Sequence, residues 1–337
     1  MPKVVHQCRF GVIAEQIGNR DALVDLARRA EVEGFHTLLI RDHVEPDYFG
    51  VQLGPIAALA TVAAVTERLR IGTLVFANDY RHPAILAKDA ATLDVLSGGR
   101  LELGIGAGWL RSEYAAMGMP FDPNGVRVGR LEESLRLLAA LFAGGSVDFA
   151  GEYYRVTGHE LFPVPVQRPR PPLLVGAGHP RMLRIAGRHA DIVGLLTTSV
   201  ASGAVEDDPV NRQVDHVERQ LGWVREGAGE RFEDLELSSV LTVIRTDDRE
   251  GEIDRLIAER RWSGITRAHV DRMPAIAIGT TRQIADHCRR WRERLRLTYF
   301  VVSSDDLDAF APVIRDLGID DVPTSCARDP RFAVVAR

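Results

Sequence analysis

From one end of the chain to the other, short β-type apolar runs alternate with amphipathic helical stretches, an order of elements that points to βαβ units around a parallel sheet. The runs are "CRFGVI" (8–13), "HTLLIR" (36–41), "RIGTLVF" (70–76), "RLELGI" (100–105), "PPLLVGA" (171–177), "DIVGLL" (191–196), "LSSVLTVI" (237–244) and "TYFVVS" (298–303). Eight strands are what a closed (β/α)8 barrel requires, and 337 residues leave room for one, since such barrels run to about 250 residues and more. The expected fold class is therefore an α/β TIM barrel forming one domain over residues 1–337. Helices are expected at 19–34, 54–67, 83–96, 125–142, 180–189, 210–226, 280–294 and 305–317. The first starts at an Asn19 cap, sets Leu23, Leu26, Ala27 and Ala30 on one face and ends at Gly34.

Three stretches interrupt the alternation. Residues 144–170 read as a hairpin followed by a proline-rich extended segment, residues 197–209 are small and polar, and residues 245–278 form an insert with an amphipathic helix at 250–261. Loops that follow barrel strands lie at the C-terminal mouth, so the second and third are expected to cover a ligand there. For the insert, packing against another subunit is an equal alternative.

Composition narrows the functional classes. A net charge of −5 gives no broad attraction to nucleic acid or anionic membrane. The N-terminus has no apolar signal region, and the longest apolar segment, 56–65, is too short to span a membrane, so a cytoplasmic protein is expected. Cys8, Cys288 and Cys326 fit no metal-ligand spacing and are read as structural thiols. Lys3 and Lys88 are the only lysines, which makes Schiff-base chemistry improbable. The chain has neither the clustered histidines of a metal-dependent hydrolase nor a G-x-S-x-G nucleophile elbow, and no metal site is expected. Glu102 is expected to be a buried partner for Arg9 or Arg70.

Three loops carry candidate chemistry. "GIGAGW", 104–109, is not a dinucleotide fingerprint: it follows the fourth strand, and Trp109 stands where the third glycine belongs. Residues that alternate along a barrel strand share a face, so Glu102, Gly104 and Gly106 point one way. If that way is inward, the glycines leave a flat gap in which a planar ring could lie against backbone; a sharp exit from the strand is the other explanation. "VGAGHPRML", 175–183, ends the fifth strand and places Pro180 at the first helical position, so N–H groups near Gly178 form an anion site, with Arg181 adding charge, or else simply a tight turn. "IRDHVEP", 40–46, delivers Asp42 and His43 to the mouth, where they either exchange protons with a ligand or cap the next segment.

With these loops in view, "RAEVEGFHTLLIRDHV", "LATVAAVTERLRIGTLVFANDYRHPAILAKDAATLDVLSGGRLELGIGAGWLRSEY", "PPLLVGAGHPRMLRIAGRHADIVGL" and "IGTTRQIADHCRRWRERLRLTYFVV" together resemble the luciferase-like superfamily of flavin- and deazaflavin-dependent oxidoreductases, in particular the members that use coenzyme F420. The resemblance implies a homodimeric barrel with the cofactor ring in its mouth. It implies a non-proline cis peptide near Leu74–Val75 behind the ring, Asp42 and His43 at the ring's reactive edge, and Ala107 and Gly108 along it. It implies, too, that the loop Gly176, Ala177, Gly178, His179, Pro180 and Arg181 takes the cofactor phosphate.

Where the sugar-phosphate dehydrogenase branch has a catalytic glutamate after the glycine loop, this chain has Trp109. With Tyr48, Phe49, Phe76 and Tyr80, Trp109 is read as an apolar substrate surface. The expected activity is hydride transfer between reduced deazaflavin and a C=C, C=N or C=O bond of a small-molecule substrate, with His43 donating a proton and Asp42 orienting it. The alternatives are an FMN-dependent monooxygenase that uses oxygen and a partner reductase, and a flavin-binding barrel without turnover.

Overall fold

The computed structural model describes residues 8–46, 49–318 and 333–334. Eight parallel strands close into a barrel: β1 (Arg9–Ile13), β2 (Thr37–Ile40), β3 (Arg70–Thr73, resumed at Phe76–Ala77), β4 (Leu101–Gly106), β5 (Leu173–Ala177), β6 (Ile192–Leu195), β7 (Glu236–Val240) and β8 (Leu297–Ser303). Each strand pairs with its sequence neighbours. β8 closes the ring on β1, with Arg9 opposite Tyr299 and Ile13 opposite Ser303. The eight expected strands are all present. The helices that wrap them are α1 (Arg20–Val32), α2 (Pro55–Val65), α3 (Pro83–Leu96), α4 (Asn124–Ala143), α5 (Pro180–His189), α6 (Val214–Ala228), α7 (Thr281–Leu295) and α8 (Leu307–Asp316).

Local chemistry sets the ends of α1 as the sequence indicates. The Asn19 side chain accepts from the N–H of Ala22 at 3.0 Å, and Gly34 leaves the helix at φ +84°. Its buried face, Leu23, Leu26, Ala27 and Ala30, joins the large apolar layer between helices and barrel. A second, smaller core fills the barrel itself: Ile13, Leu39, Leu174, Ile192, Tyr299 and Val301, with Leu74 and Val75 packed against it from the mouth side.

The N-terminal end of the barrel is closed by charge. Arg9 holds both oxygens of Glu236, at 2.7 and 2.6 Å, and reaches Glu102; Arg70 donates to Glu102 at 2.6 Å; and the hydroxyl of Tyr299 donates to Glu102 at 3.3 Å. Glu102 is thus the buried partner of both arginines named for it.

One strand expectation needs correction. The run 237–244 is two strands, because hydrogen bonding changes partner at Leu241: its N–H still donates to Val301 of β8, whereas the N–H of Thr242 donates to Ala275. Thr242–Arg245 therefore leaves the barrel and pairs in parallel with Ile276–Gly279. Between these strands lie the helices Arg249–Glu259 and Arg267–Val270, and the insert has its own apolar cluster around Ile253, Trp262 and Met273. The expected hairpin is Ser146–Ala150 against Arg155–Glu160, its turn held by Glu133, which accepts from the N–H groups of Glu152, Tyr153 and Tyr154.

Candidate active site

At the C-terminal ends of the strands lies a cavity of about 980 Å³. It is lined by residues from the loops after β2, β3, β4, β5 and β6 and by Arg260 of the insert. Loop 197–209 contributes Val200, Ala201 and Val205 to the wall, so both covering stretches do reach the mouth.

The floor is built where β3 is interrupted. The peptide between Leu74 and Val75 is cis, at the position the resemblance implies, and both residues line the cavity. The inward glycines of β4 face this interruption, and here the sequence reading of the glycine loop changes. A Cβ added at Gly104 would lie 1.8 Å from the carbonyl oxygen of Thr73, and one added at Gly106 would lie 2.8 Å from a methyl of Val75. The clearance these two glycines provide is thus filled by β3 itself. It lets Val75 sit against β4, and Val75 rather than bare glycine backbone becomes the apolar floor. Gly108 serves differently. It adopts φ +73°, and a Cβ there would lie 2.0 Å from the Tyr114 hydroxyl.

The second region is the anion cradle at α5. Pro180 occupies the first turn, and no side chain caps that helix or the neighbouring α4. Gly176, Ala177, Gly178, His179 and Arg181 line the cavity together with Asn124 and Gly125 at the start of α4. Two uncapped helix N-termini thus converge on one wall, each with N–H groups lacking intrahelical partners. Arg181 donates to the carbonyl of Gly125 at 3.0 Å, which ties the two helix starts together. Gln220 of α6 fixes the cradle from behind, donating to the carbonyls of Gly178 and Leu196 at 3.1 and 2.7 Å.

The third region surrounds His43, whose ring lies 5.6 Å from Phe49 and 5.7 Å, edge-on, from Trp109. The carboxylate beside its Nδ1 is Glu113, at 3.2 Å. Asp42 is engaged elsewhere: its oxygens accept from Arg81 at 2.6 and 2.9 Å and from the N–H of Ala77 at 2.9 Å, which fastens the loop after β3. The orienting role expected of Asp42 toward His43 thus has a different candidate on geometry.

Glu113 accepts from the N–H groups of Val44 and Glu45 at 2.7 and 3.2 Å and from the Tyr80 hydroxyl at 2.9 Å. Burial works against its ionised form, but the hydrogen bonds from His43, Val44 and Tyr80 prevail and hold its carboxyl below the ordinary range. Burial first, then the bond to Glu113, pushes the Tyr80 phenol well up, so it stays protonated.

Of the expected aromatic surface, Phe49, Tyr80 and Trp109 line the cavity. Phe76 reaches its wall but is 1% exposed and belongs to the apolar layer behind, with the Arg81 guanidinium 4.6 Å over its ring. Tyr48 lies outside the described residues. The sequence reading missed the cationic pole where Arg212, 7% exposed, and Arg260 both bind Asp207 and both line the cavity. It also gave Glu113 no role.

A (β/α)8 barrel with an apolar slot, two uncapped helix N-termini and a His–Glu pair at its C-terminal mouth has the layout of a barrel enzyme's active site. Residues 4–304 match the luciferase-like monooxygenase family, and the chain belongs to it. It is 35% identical over 230 residues to an F420-dependent glucose-6-phosphate dehydrogenase of Nocardia farcinica, an alignment covering 63% of this chain and 66% of that one. To the enzyme of the same description from Nakamurella multipartita it is 34% identical over 250 residues, covering 72% and 69%. The chain thus spans about two thirds of the length of these relatives. Among solved structures, the coenzyme F420-dependent tetrahydromethanopterin reductase of Methanopyrus kandleri shares the fold, with a TM-score of 0.72, 18% identity and coverage of 91% and 97%.

Proposed function

We propose that this chain is a coenzyme F420-dependent oxidoreductase that transfers hydride between the reduced deazaflavin and a C=C, C=N or C=O bond of a small organic molecule. The observation that carries this reading is the joint geometry of slot and cradle: an apolar floor at Leu74–Val75 opening toward two uncapped helix N-termini and Arg181. A planar ring with a phosphate on its side chain fits that arrangement. Leu74, Val75, Ala107 and Gly108 would hold the ring, and Gly176 to Arg181 the phosphate, the N–H groups supplying donors and the helix starts a partial positive charge. The relatives' names favour F420 over FMN as the group.

When bound, the deazaflavin supplies a hydride equivalent at carbon; the chain supplies orientation, a dry cavity and the proton. Reduction adds hydride to one atom of the acceptor bond and a proton to the other, and His43 is assigned as the source of that proton. In the oxidative direction the same ring accepts it. Phe49 and Trp109 flank His43 and form the wall for an apolar part of the substrate. Arg212 and Arg260, which share Asp207, leave a net positive pole for an acidic group. Glucose 6-phosphate, the substrate in the relatives' names, has such a group, but Trp109 occupies the place of the glutamate expected in a sugar-phosphate dehydrogenase, so a different phosphorylated or carboxylated compound fits better.

A homodimer belongs to the same reading. The 11-residue α2 has no charged residue, and on α3 Ile85 and Leu96 are 58% and 64% exposed. Among the described residues, no helix is long and apolar enough to cross a membrane.

Titration of the purified chain with F420 and FMN in parallel, followed by fluorescence, tests the cofactor. Micromolar binding of F420 is expected, and binding of FMN alone would overturn the assignment in favour of a monooxygenase with a partner reductase. Tight F420 binding with no turnover on any acceptor would leave a binding barrel.

A further inference from the structure

Among the described residues the buried arginines are Arg100, Arg127 and Arg212, and they differ in how fully they are paired. Arg100 and Arg127 each donate from all three guanidinium nitrogens to protein oxygens. Arg212, 7% exposed, donates from Nε alone, to Asp207. Among the described residues its Nη1 and Nη2 have no hydrogen-bond partner, and the residue lines the cavity. A buried cation with unmet donors is costly, and the cavity is where an acceptor can reach these two.

The surroundings define that acceptor. Asp207, on the loop after β6, takes Arg212 on one oxygen and Arg260 of the insert on the other, the latter at 2.7 Å. Arg260 also donates to the Thr242 hydroxyl at 3.4 Å, and the Trp262 ring, 5.7 Å from the Arg212 guanidinium and 5.4 Å from that of Arg260, steadies both. The charges that act on Arg212 are Asp207 and Arg260, so two cations meet one carboxylate and the cluster carries one positive charge in excess. A single negative charge completes it, whereas a dianion would leave a buried negative excess. The two unpartnered Nη atoms of one guanidinium match the two oxygens of a planar carboxylate. Beside the acid the wall is apolar: Val200 and Val205 of the same loop and Val240 at the end of β7 line the cavity. In a ring of eight strands β7 stands opposite β3, so the cluster lies across the mouth from the floor at Leu74–Val75.

We propose that Arg212, held by Asp207 and Trp262, is a specificity-determining residue that receives a carboxylate of the substrate, which makes the substrate class monoanionic acids with an apolar body. This rests on the reading of the cavity as the site of a small organic substrate and narrows the acidic group to one charge.

The test is calorimetric titration of the full-length chain, with and without F420, with phenylacetate, phenylacetamide and phenyl phosphate at about pH 8, where the phosphate is a dianion. Phenylacetate is expected to bind about tenfold or more tightly than either of the others, since a site with buried donors rejects an analogue that leaves them unpaired. In Arg212→Met its advantage over phenylacetamide should fall below about threefold. Asp207→Asn raises the excess to two charges and should move the preference about tenfold toward phenyl phosphate, while Arg260→Gln removes the excess and should weaken phenylacetate about tenfold.

Equal binding of acid and amide by the parent chain, no measurable binding of phenylacetate, or loss of both ligands alike in Arg212→Met overturns the proposal. So does an Arg212→Met chain whose one defect is weaker F420 binding, which would give the cluster to a carboxylate on the cofactor's side chain. Should Arg212→Met fail to fold, Asp207→Asn and Arg260→Gln, at partly exposed residues, decide by the direction of their effects. Failure of the functional reading is separable: absent F420 binding or turnover removes it and leaves the titrations without cofactor standing.

Discussion

Two buried glutamates, eleven residues apart in sequence, sit at opposite ends of the barrel, and their surroundings differ in kind. Glu102, 1% exposed on β4, meets Arg9 and Arg70, whose guanidinium groups do not give up protons in a protein. Glu113, equally buried, meets an imidazole, which can, and a phenol that is held protonated. The histidines differ in parallel. His36, beside the Glu102 cluster, accepts the N–H of Phe10 on Nδ1 at 3.2 Å, and burial, reinforced by Arg9, depresses its pKa to about 4. His43, beside Glu113, faces a cavity. One end of the barrel is locked by fixed charge, and the other presents an imidazole to a cavity. In a barrel this places chemistry at the C-terminal mouth and leaves stability to the opposite end.

The contrast is broken most strongly by removing each carboxylate in turn. Glu102→Ala removes the buried carboxylate that Arg9 and Arg70 share, leaving Arg9 with Glu236, and is expected to lower unfolding free energy by about 3–5 kcal/mol, measured by urea titration. In the fraction that stays folded, turnover should be nearly unchanged. Glu113→Gln keeps the size of the side chain and breaks no arginine pair, so its cost in stability is expected to be about 1–2 kcal/mol, with the larger effect in kcat. If Glu113→Gln proved the more destabilising of the two, the division between a locked end and a working end would be wrong.

The next largest effect concerns His36. Its pKa in the folded state lies below the value of about 6.5 in the unfolded chain, so as pH falls the unfolded state takes the proton first. Stability from this residue is intact above about pH 6.5 and is lost progressively toward pH 4, amounting to about 3 kcal/mol at the bottom of that window. His287, half-buried with its Nε2 2.9 Å from the carbonyl of Pro274 and likewise lowered to about 4, adds a slope of the same sign. Replacing His36 with Asn, which can still accept from Phe10, should flatten the pH dependence of the denaturation midpoint by one proton's worth. An unchanged slope would show that His36 is not held neutral.

Between the two glutamates runs the rest of β4, and there the sequence was only half legible. Alternation along the strand puts Glu102, Gly104 and Gly106 on one face and correctly pairs Glu102 with arginine. What fills the space left by the glycines was not legible, because it depends on the interruption of β3 some thirty residues earlier, which brings Val75 across. The eight strands could be read because each is a periodic run with local boundaries. The split at Leu241 could not, because 237–244 is one continuous apolar run and only the change of hydrogen-bond partner divides it. Asp42 and His43 were placed at the mouth by their position after β2. Their true partners, Arg81 and Glu113, are separated from them by 39 and 70 residues, with no spacing rule to reveal the pairing. Glu113 is presented by the short helix Arg111–Ala116, whose six residues are too few for a periodic signal.

Gly106→Ala probes the link between the two ends directly. The new methyl would meet Val75 at 2.8 Å, and because that neighbour is a side chain rather than backbone, the strand can adjust. A loss of about 1–3 kcal/mol is expected from overpacking. Displacing the floor should also weaken F420 binding several-fold, read by the same fluorescence titration. Gly104→Ala, which meets the Thr73 carbonyl, should be the more severe of the pair.

The smallest effect is expected at Trp109, and it sharpens the comparison by leaving both buried carboxylates untouched. Its indole stands edge-on to His43 at the cavity wall and is only partly buried, so Trp109→Phe keeps an aromatic face while shortening it. The expected change in stability is under about 1 kcal/mol, as for substitutions away from packed cores and buried polar networks. If Trp109 is a wall for substrate, KM for the substrate rises several-fold while F420 affinity and kcat stay where they were, because loss of contact area alone removes binding shared by ground and transition states. A fall in kcat with KM unchanged would instead mean that the indole helps to place His43, and the working end would then extend one residue beyond the histidine, Glu113 and Tyr80.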